Sequence, residues 1–147
     1  MVYRKKTAIM VCFLMAVCLC LLACGGEKKE GKVIVTESEF SVRRDGEKAF
    51  VIDARGKVRN VGDVDVKNVL VTGYCRSCIE MIKPGHWFIS GAEKTEAQKD
   101  LLSYITVGAE EEFSFEEVAF IYNMVDEAPE SMPEEMEVVV KSFEVVE

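Results

Sequence analysis

The alternation of apolar and polar residues is clearest between residues 49 and 59. Every second residue from Phe50 to Val58 is apolar or glycine. Most of the intervening positions carry charged side chains, namely Asp53, Arg55, Lys57 and Arg59. Because successive side chains of a strand point to opposite faces, this pattern predicts a β-strand with one face on a core and the other in water.

Similar patterns predict further strands along the chain. They are expected at residues 32–36, 66–74, 87–89, 113–116, 118–123 and 136–146. The Asp45-Gly46 pair and the Asn60-Val61-Gly62-Asp63 stretch predict turns between strands. One segment departs from this rhythm: a capping box over residues 90–93 and apolar residues four apart predict a short helix to Ser103. The expected fold is an all-β, immunoglobulin-like antiparallel sandwich of about seven strands with one short helical insertion.

The inward faces of these strands define a predicted core. Its members are Phe50, Ile52, Val58, Val69, Val71, Phe113 and Phe115.

The N-terminal segment has a different pattern. Three basic residues precede an apolar run over residues 8–22, and Leu21-Leu22-Ala23-Cys24 ends the run just before two glycines. This stretch resembles the lipobox of bacterial lipoproteins, in which the signal peptide is cut before a cysteine that carries the lipid. The run of 16 residues to Ala23 is shorter than the roughly 20 that a membrane-spanning helix needs.

The resemblance implies a cleaved signal peptide at residues 1–23 and acyl chains, palmitate among them, on Cys24. A flexible tether would follow over residues 24–31, and the β-sandwich domain would occupy residues 32–147. We therefore expect a protein anchored by lipid in the cell membrane or outer membrane and facing the periplasm or the exterior. Gly25 lacks the aspartate that signals inner-membrane retention in enteric bacteria, which leans towards the outer membrane.

Charge is distributed unevenly. After removal of residues 1–23 the chain keeps 15 basic and 26 acidic residues, a net charge of −11. Residues 110–147 contain 13 of the acidic residues and one basic residue, Lys141. Such a balance argues against binding to nucleic acid or to an anionic lipid surface. The acidic third is interpreted as a solvated face, with a surface for a cation or basic partner as the alternative.

A motif in the middle of the chain carries a second resemblance. Residues 56–63 read Gly-Lys-Val-Arg-Asn-Val-Gly-Asp, and residues 66–71 read Val-Lys-Asn-Val-Leu-Val. Together with Gly108 and the following 110–113 stretch, they resemble the FxLYD-type domains of bacterial exported proteins. The chain departs from that pattern at residues 71–75, where only Tyr74 is kept, and in the longer 76–103 connection. The resemblance implies an immunoglobulin-like sandwich and a non-catalytic role in the cell envelope.

The turn within this motif carries an expectation of its own. In the Asn-x-Gly-Asp stretch we expect Gly62 to supply a positive φ angle.

Cys75 and Cys78 are the only cysteines beyond Cys24, and three interpretations of the pair stand side by side. Outside the cytoplasm they would form a disulfide. With His86 they could contribute to a metal site, although a structural zinc usually takes four such ligands. A redox-active pair is the third interpretation, although such motifs belong to α/β patterns that this chain lacks.

The remaining polar groups predict no active site and no bound cofactor. Serine residues lack a base, because His86 is the single histidine. Arg55, Lys57 and Arg59 are expected to form a solvated charge ladder with Glu112 and Glu116. Trp87 and Phe88 are expected in the core or under the predicted helix. The acidic 126–135 loop lacks the alternating oxygen ligands of a calcium loop.

Two function hypotheses follow. The first is a non-catalytic binding or assembly module of the cell envelope that contacts a protein or another extracytoplasmic ligand. The second is an extracytoplasmic redox or metal-handling protein that uses Cys75 and Cys78.

Overall fold

A computed structural model describes residues 29–47, 49–79, 81, 83, 85–89, 93–122 and 129–147. The predicted signal peptide and Cys24 lie outside the described residues. Within them, seven strands and one turn of 3-10 helix at Glu96–Gln98 are formed. The strands are β1 (Val33–Asp45), β2 (Ala49–Asn60), β3 (Val66–Cys75), β4 (Phe88–Ile89), β5 (Lys99–Ile105), β6 (Glu110–Tyr122) and β7 (Met136–Val145).

The strands form two antiparallel sheets packed face to face. One has the order β1-β2-β6-β4 and the other β5-β3-β7. Only β1 and β2 form a hairpin, whereas each later connection crosses from one sheet to the other. The chain is thus an all-β, immunoglobulin-like antiparallel sandwich, as the strand periodicity predicts.

The core lies between the sheets. All seven residues of the predicted core are buried, and Ile52, Val58, Val69 and Val71 are completely inaccessible to solvent. Val66 and Ile105 extend the core towards one end of the sandwich, and Val118, Ala119 and Ile121 extend it towards the other. The strand faces read from the alternation are therefore confirmed.

Two glycines fix the path of β1 and β2. Gly46 follows Asp45 in the hairpin and has a φ of +69°, which confirms the predicted Asp-Gly turn. Gly56 lies beside a bulge in β1, where the pairing shifts between Val35 and Glu37. A Cβ atom at Gly56 would lie only 2.0 Å from the Glu37 carbonyl oxygen. The bulge therefore requires glycine at this position.

The predicted helix up to Ser103 is wrong. Lys99–Ile105 is strand β5, and the helical conformation is limited to the three residues Glu96–Gln98. Strand β5 pairs with β3 from Val66 opposite Ile105 to Thr72 opposite Lys99. This backbone pairing outweighs the local helix preference of the segment, since tertiary context overrides differences of less than about 1 kcal/mol per residue. The predicted capping residues 90–92 lie outside the described residues.

Candidate functional site

The predicted cysteine pair lies where β3 leaves the sandwich. Cys75 is the last residue of β3, and its sulfur is bonded to that of Cys78 at 2.05 Å. The Cα atoms are 5.5 Å apart, within the range of ordinary disulfides. Cys75 belongs to the core cluster and Cys78 packs against it. The disulfide interpretation of this pair is therefore supported.

The loop closed by the disulfide holds the start of β7. The backbone N–H of Arg76 donates to the Glu135 carbonyl at 2.7 Å, and the Glu135 N–H donates to the Ser77 hydroxyl at 3.2 Å. The Arg76 guanidinium also donates to the Glu137 carboxylate at 2.7 Å. These bonds fix the segment that enters β7 against the end of β3.

Trp87 joins the same region from another direction. Its indole N–H donates to the Ser131 carbonyl at 3.0 Å, and its own carbonyl accepts from the Ile79 N–H at 3.1 Å. The ring is 9% exposed and belongs to the core cluster. Phe88 is 2% exposed, and its ring centroid is 5.4 Å from that of Phe120. Both aromatic residues are buried, as expected, although no long helix covers them within the described residues.

The reactivity of the pair is limited by this packing. Catalytic and redox-sensing thiols are solvent-accessible and lie in electropositive surroundings. Cys75 is 6% exposed and faces the apolar core. His86 is exposed, and among the described residues no three His, Cys, Asp or Glu side chains are grouped to hold a metal. The arrangement favours a structural cross-link.

Comparisons with known proteins give no relative. No protein family, curated protein or solved structure matches this chain. No helix in the described part of the chain has the length and apolar character needed to cross a bilayer.

The glycine- and asparagine-containing motif forms a buried hydrogen-bonded turn after β2. Asn60 is fully buried, and its amide donates to the carbonyls of Val64 at 2.8 Å and Ile105 at 3.2 Å. Its side-chain oxygen accepts from the Gly62 N–H at 3.0 Å. One side chain thus joins the β2–β3 turn to the end of β5. The alternation that places Val58 inward also places Asn60 inward, which is the signal in the sequence for this role.

Gly62 is required for a different reason from the one expected. Its φ is not among the positive angles of the described glycines, so the predicted positive φ is wrong. A Cβ atom there would instead lie 2.4 Å from the Lys32 nitrogen and 2.5 Å from the Glu30 carbonyl oxygen. The Gly62 and Asp63 N–H groups donate to Lys32 and Glu30 carbonyls at 3.2 and 2.9 Å. Close approach of the incoming chain therefore explains this glycine.

Asp65 stabilises the neighbouring turn. Its carboxylate accepts from the Tyr104 hydroxyl at 2.5 Å and from the Val107 N–H at 2.9 Å. The bond from Tyr104 is the main cause of a lowered pKa for Asp65, and the bond from Val107 adds to it. Conversely, the hydrogen bond to Asp65 raises the pKa of Tyr104 above its ordinary value.

The predicted charge ladder is present on the outer face of the four-stranded sheet, but its partners differ. Arg55 and Lys57 pair with Glu39 and Glu37 of β1, at 2.8 and 3.3 Å. Glu112 lies opposite Lys57 in the β2–β6 register but makes no ion pair in the described part of the chain. The pairs are exposed, so each contributes less than about 1 kcal/mol.

Glu116 was expected in the charge ladder, but it contributes instead to a bulge in β6 that the sequence does not reveal. Three residues of β6, from Glu116 to Val118, bulge opposite Asp53 of β2. The Asp53 carboxylate accepts from the Glu117 N–H at 3.2 Å and from the Arg43 guanidinium at 2.7 Å. Arg43 also pairs with Glu116 at 3.0 Å and thereby fixes the bulge.

The two ends of the sandwich are unequal. At one end lie the short connections after β2 and β5, together with residues 29–32, where the described chain enters β1. At the other end lie the disulfide loop and the described residues of the long connections after β3, β4 and β6, namely residues 76–79, 81, 83, 85–87, 93–98 and 129–135. The disulfide loop and Trp87 thus lie at the end opposite residues 29–32.

Proposed function

We propose that this chain is an exported lipoprotein anchored through acyl chains on Cys24. We further propose that its FxLYD-like sandwich is a non-catalytic module that binds or assembles with another component of the cell envelope. The apolar run that ends in Leu21-Leu22-Ala23-Cys24 is the basis for the anchor. A disulfide between the only two cysteines of the body accords with an oxidising compartment.

The short distance between Cys24 and the sandwich supports attachment close to a membrane. The Glu30 carbonyl already accepts a backbone hydrogen bond from the turn after β2. Five residues lie between Cys24 and Glu30, and even a fully extended chain spans only about 20 Å from one to the other. On this proposal, the end of the sandwich with the short turns faces the lipid.

The single observation that carries the binding role is the placement of the long connections at the other end. Strand β2, with 12 residues, spans about 40 Å, which separates those connections from the proposed anchor. Met81 lies in one of them and is 72% exposed. Exposed loops held on a rigid scaffold are common binding surfaces. The disulfide and the Trp87 hydrogen bond hold the base of these connections.

Lipid labelling tests the anchor. We expect Cys24→Ser to abolish incorporation of radiolabelled palmitate and to leave the unprocessed precursor. Cys20→Ser is the matched control, because it removes a thiol of the same apolar run without touching the cleavage site. Undiminished labelling of Cys24→Ser would contradict the proposal.

Site-specific crosslinking tests the binding surface. A photo-reactive residue is placed at position 81 in the lipidated protein in its native membranes, and at position 107 as the control. Val107 is 50% exposed but lies in a turn at the end that contains residues 29–32. Discrete protein adducts from position 81 and none from position 107 are expected. Adducts from position 107 alone, or from neither position, would contradict the proposed surface.

A further inference from the structure

A pocket on the outer face of the three-stranded sheet brings together three lysines from distant parts of the sequence. The strands supply Leu70 and Thr72 from β3, Lys99 from β5 and Lys141 from β7, and the segment before the 3-10 turn supplies the rest. The complete lining is Leu70, Thr72, Glu93, Lys94, Lys99 and Lys141. The pocket is separate from both the disulfide and the proposed anchor.

Within the described part of the chain, two of these lysines have no acidic partner. Lys99 pairs with Glu96 at 2.6 Å, whereas Lys94 and Lys141 form no ion pair in the described part of the chain. The Lys94 ammonium lies 5.1 Å from the centre of the Tyr74 ring, which attracts the cation but does not neutralise its charge. Burial lowers the pKa of Lys94, and the positive charge of Lys141 lowers it further. The two ammonium groups therefore repel each other across the pocket.

Lys141 is an exception in an otherwise acidic part of the chain. Residues 110–147 contain 13 acidic residues, yet Lys141, their one basic residue, lies beside Lys94. An anion between the two lysines would remove the repulsion and replace the water that burial has taken from Lys94. Lysine ammonium groups act as point charges, which suit the several equivalent oxygens of a phosphate.

We propose that this pocket binds a phosphate monoester, held between the Lys94 and Lys141 ammonium groups. Lys99 contributes charge from the side, although its pairing with Glu96 reduces that contribution. The Thr72 hydroxyl already donates to the Gln98 carbonyl at 2.6 Å, so recognition rests on charge. Leu70 provides an apolar floor for the carbon atoms of the ester. This inference does not depend on the lipid anchor.

Nuclear magnetic resonance titration of the full chain tests the proposal at constant ionic strength. The soluble probe is glycerol 3-phosphate, added to the chain in detergent. The membrane probe is a detergent-free nanodisc that contains phosphatidic acid, compared with a nanodisc of phosphatidylcholine alone. Saturable shifts of the amide signals of residues 94, 99 and 141 are expected with a Kd of about 1 mM or tighter. Saturation by the soluble probe alone identifies a free phosphate ester, and saturation by the nanodisc alone identifies a lipid headgroup. Saturation by neither, or equal shifts with chloride, would overturn the proposal.

Substitutions separate specific binding from the overall charge. Lys94→Gln and Lys141→Gln should each weaken binding about tenfold, because each removes a charge-assisted hydrogen bond. Lys67→Gln is the control. Lys67 lies on β3, as Leu70 and Thr72 do, but outside the pocket, so this variant should bind as the wild type does. Glu93→Gln removes the one acid of the lining and should tighten binding. Wild-type affinity in both lysine variants, or no gain in Glu93→Gln, would overturn the proposal.

Discussion

Asn60→Ala tests whether one buried side chain holds an end of the sandwich together. The substitution removes three hydrogen bonds, at 2.8, 3.2 and 3.0 Å. The Val64 and Ile105 carbonyls lose this partner, and the Gly62 N–H keeps only its 3.2 Å bond to the Lys32 carbonyl. Each bond contributes a net of about 1 kcal/mol, so the loss is about 3 kcal/mol when water reaches the turn. If one of these groups stays buried without a new partner, the loss of stability grows by the desolvation penalty of that group, about 1–3 kcal/mol.

The measurement is the free energy of unfolding from urea titration, since a loss of about 3 kcal/mol is a large share of the 5–15 kcal/mol typical of a domain. Ser41→Ala is the control, because Ser41 is an exposed residue of β1 and its substitution should change stability by less than about 0.5 kcal/mol. An unchanged dependence on urea concentration would show that both states keep their compactness. A loss below about 1 kcal/mol for Asn60→Ala would refute the assigned role.

Three further predictions concern the core, the disulfide and the Asp65 turn. Ile52→Ala should lower the free energy of unfolding by about 2–5 kcal/mol and Arg55→Ala should hardly change it, because Ile52 is fully buried and Arg55 is exposed. Equal melting temperatures for the two variants would contradict the assigned strand faces. Replacing both cysteines of the disulfide with serine should destabilise the domain by about 2 kcal/mol or less without changing the fold, because the closed loop is short. Insulin-reducing activity of the wild type above that variant would favour a redox role instead. The Tyr104 hydrogen bond lowers the pKa of Asp65. This bond therefore stabilises the fold above pH 3.8, and the stabilisation is lost as the pH falls through the lowered pKa. Tyr104→Phe should therefore lower the melting temperature at neutral pH but not in strong acid, and an equal difference at both pH values would argue against this coupling.

Period-two alternation was sufficient to predict β2, β3, β7 and the core, because it reports directly which face is buried. It predicted only the start of β1, which continues from the expected 32–36 segment to Asp45. It could not distinguish the true environment of residues 96–105. Leu101 and Ile105 are four apart, as in a helix, yet Leu101 is 60% exposed and Ile105 is buried. Pairing with β3 determines that segment, and no local pattern encodes it.

The parts of the candidate sites that the sequence did not reveal depend on contacts between distant residues. Lys94 and Lys141 are far apart in the chain, and only the β3–β7 pairing and the segment before the 3-10 turn bring them to one pocket. The bulge that Arg43 fixes is likewise a property of two paired strands. In contrast, Cys75 and Cys78 are three residues apart, so their pairing could be anticipated from their proximity and from the oxidising compartment that the N-terminal sequence leads us to expect.

The connections that cross between the sheets have a consequence for the order of folding. Residues 49–60 must wait for residues 110–122 to complete the β2–β6 pairing, and residues 66–75 must wait for residues 136–145. Contacts between such distant segments make folding slow, on the order of milliseconds to seconds, because loop closure precedes most of the favourable contacts. Among the seven described strands, only β1 and β2 are consecutive and paired, and an isolated hairpin is marginally stable in water. A chain that is still being synthesised therefore cannot complete the four-stranded sheet before β6 is made, or the three-stranded sheet before β7 is made.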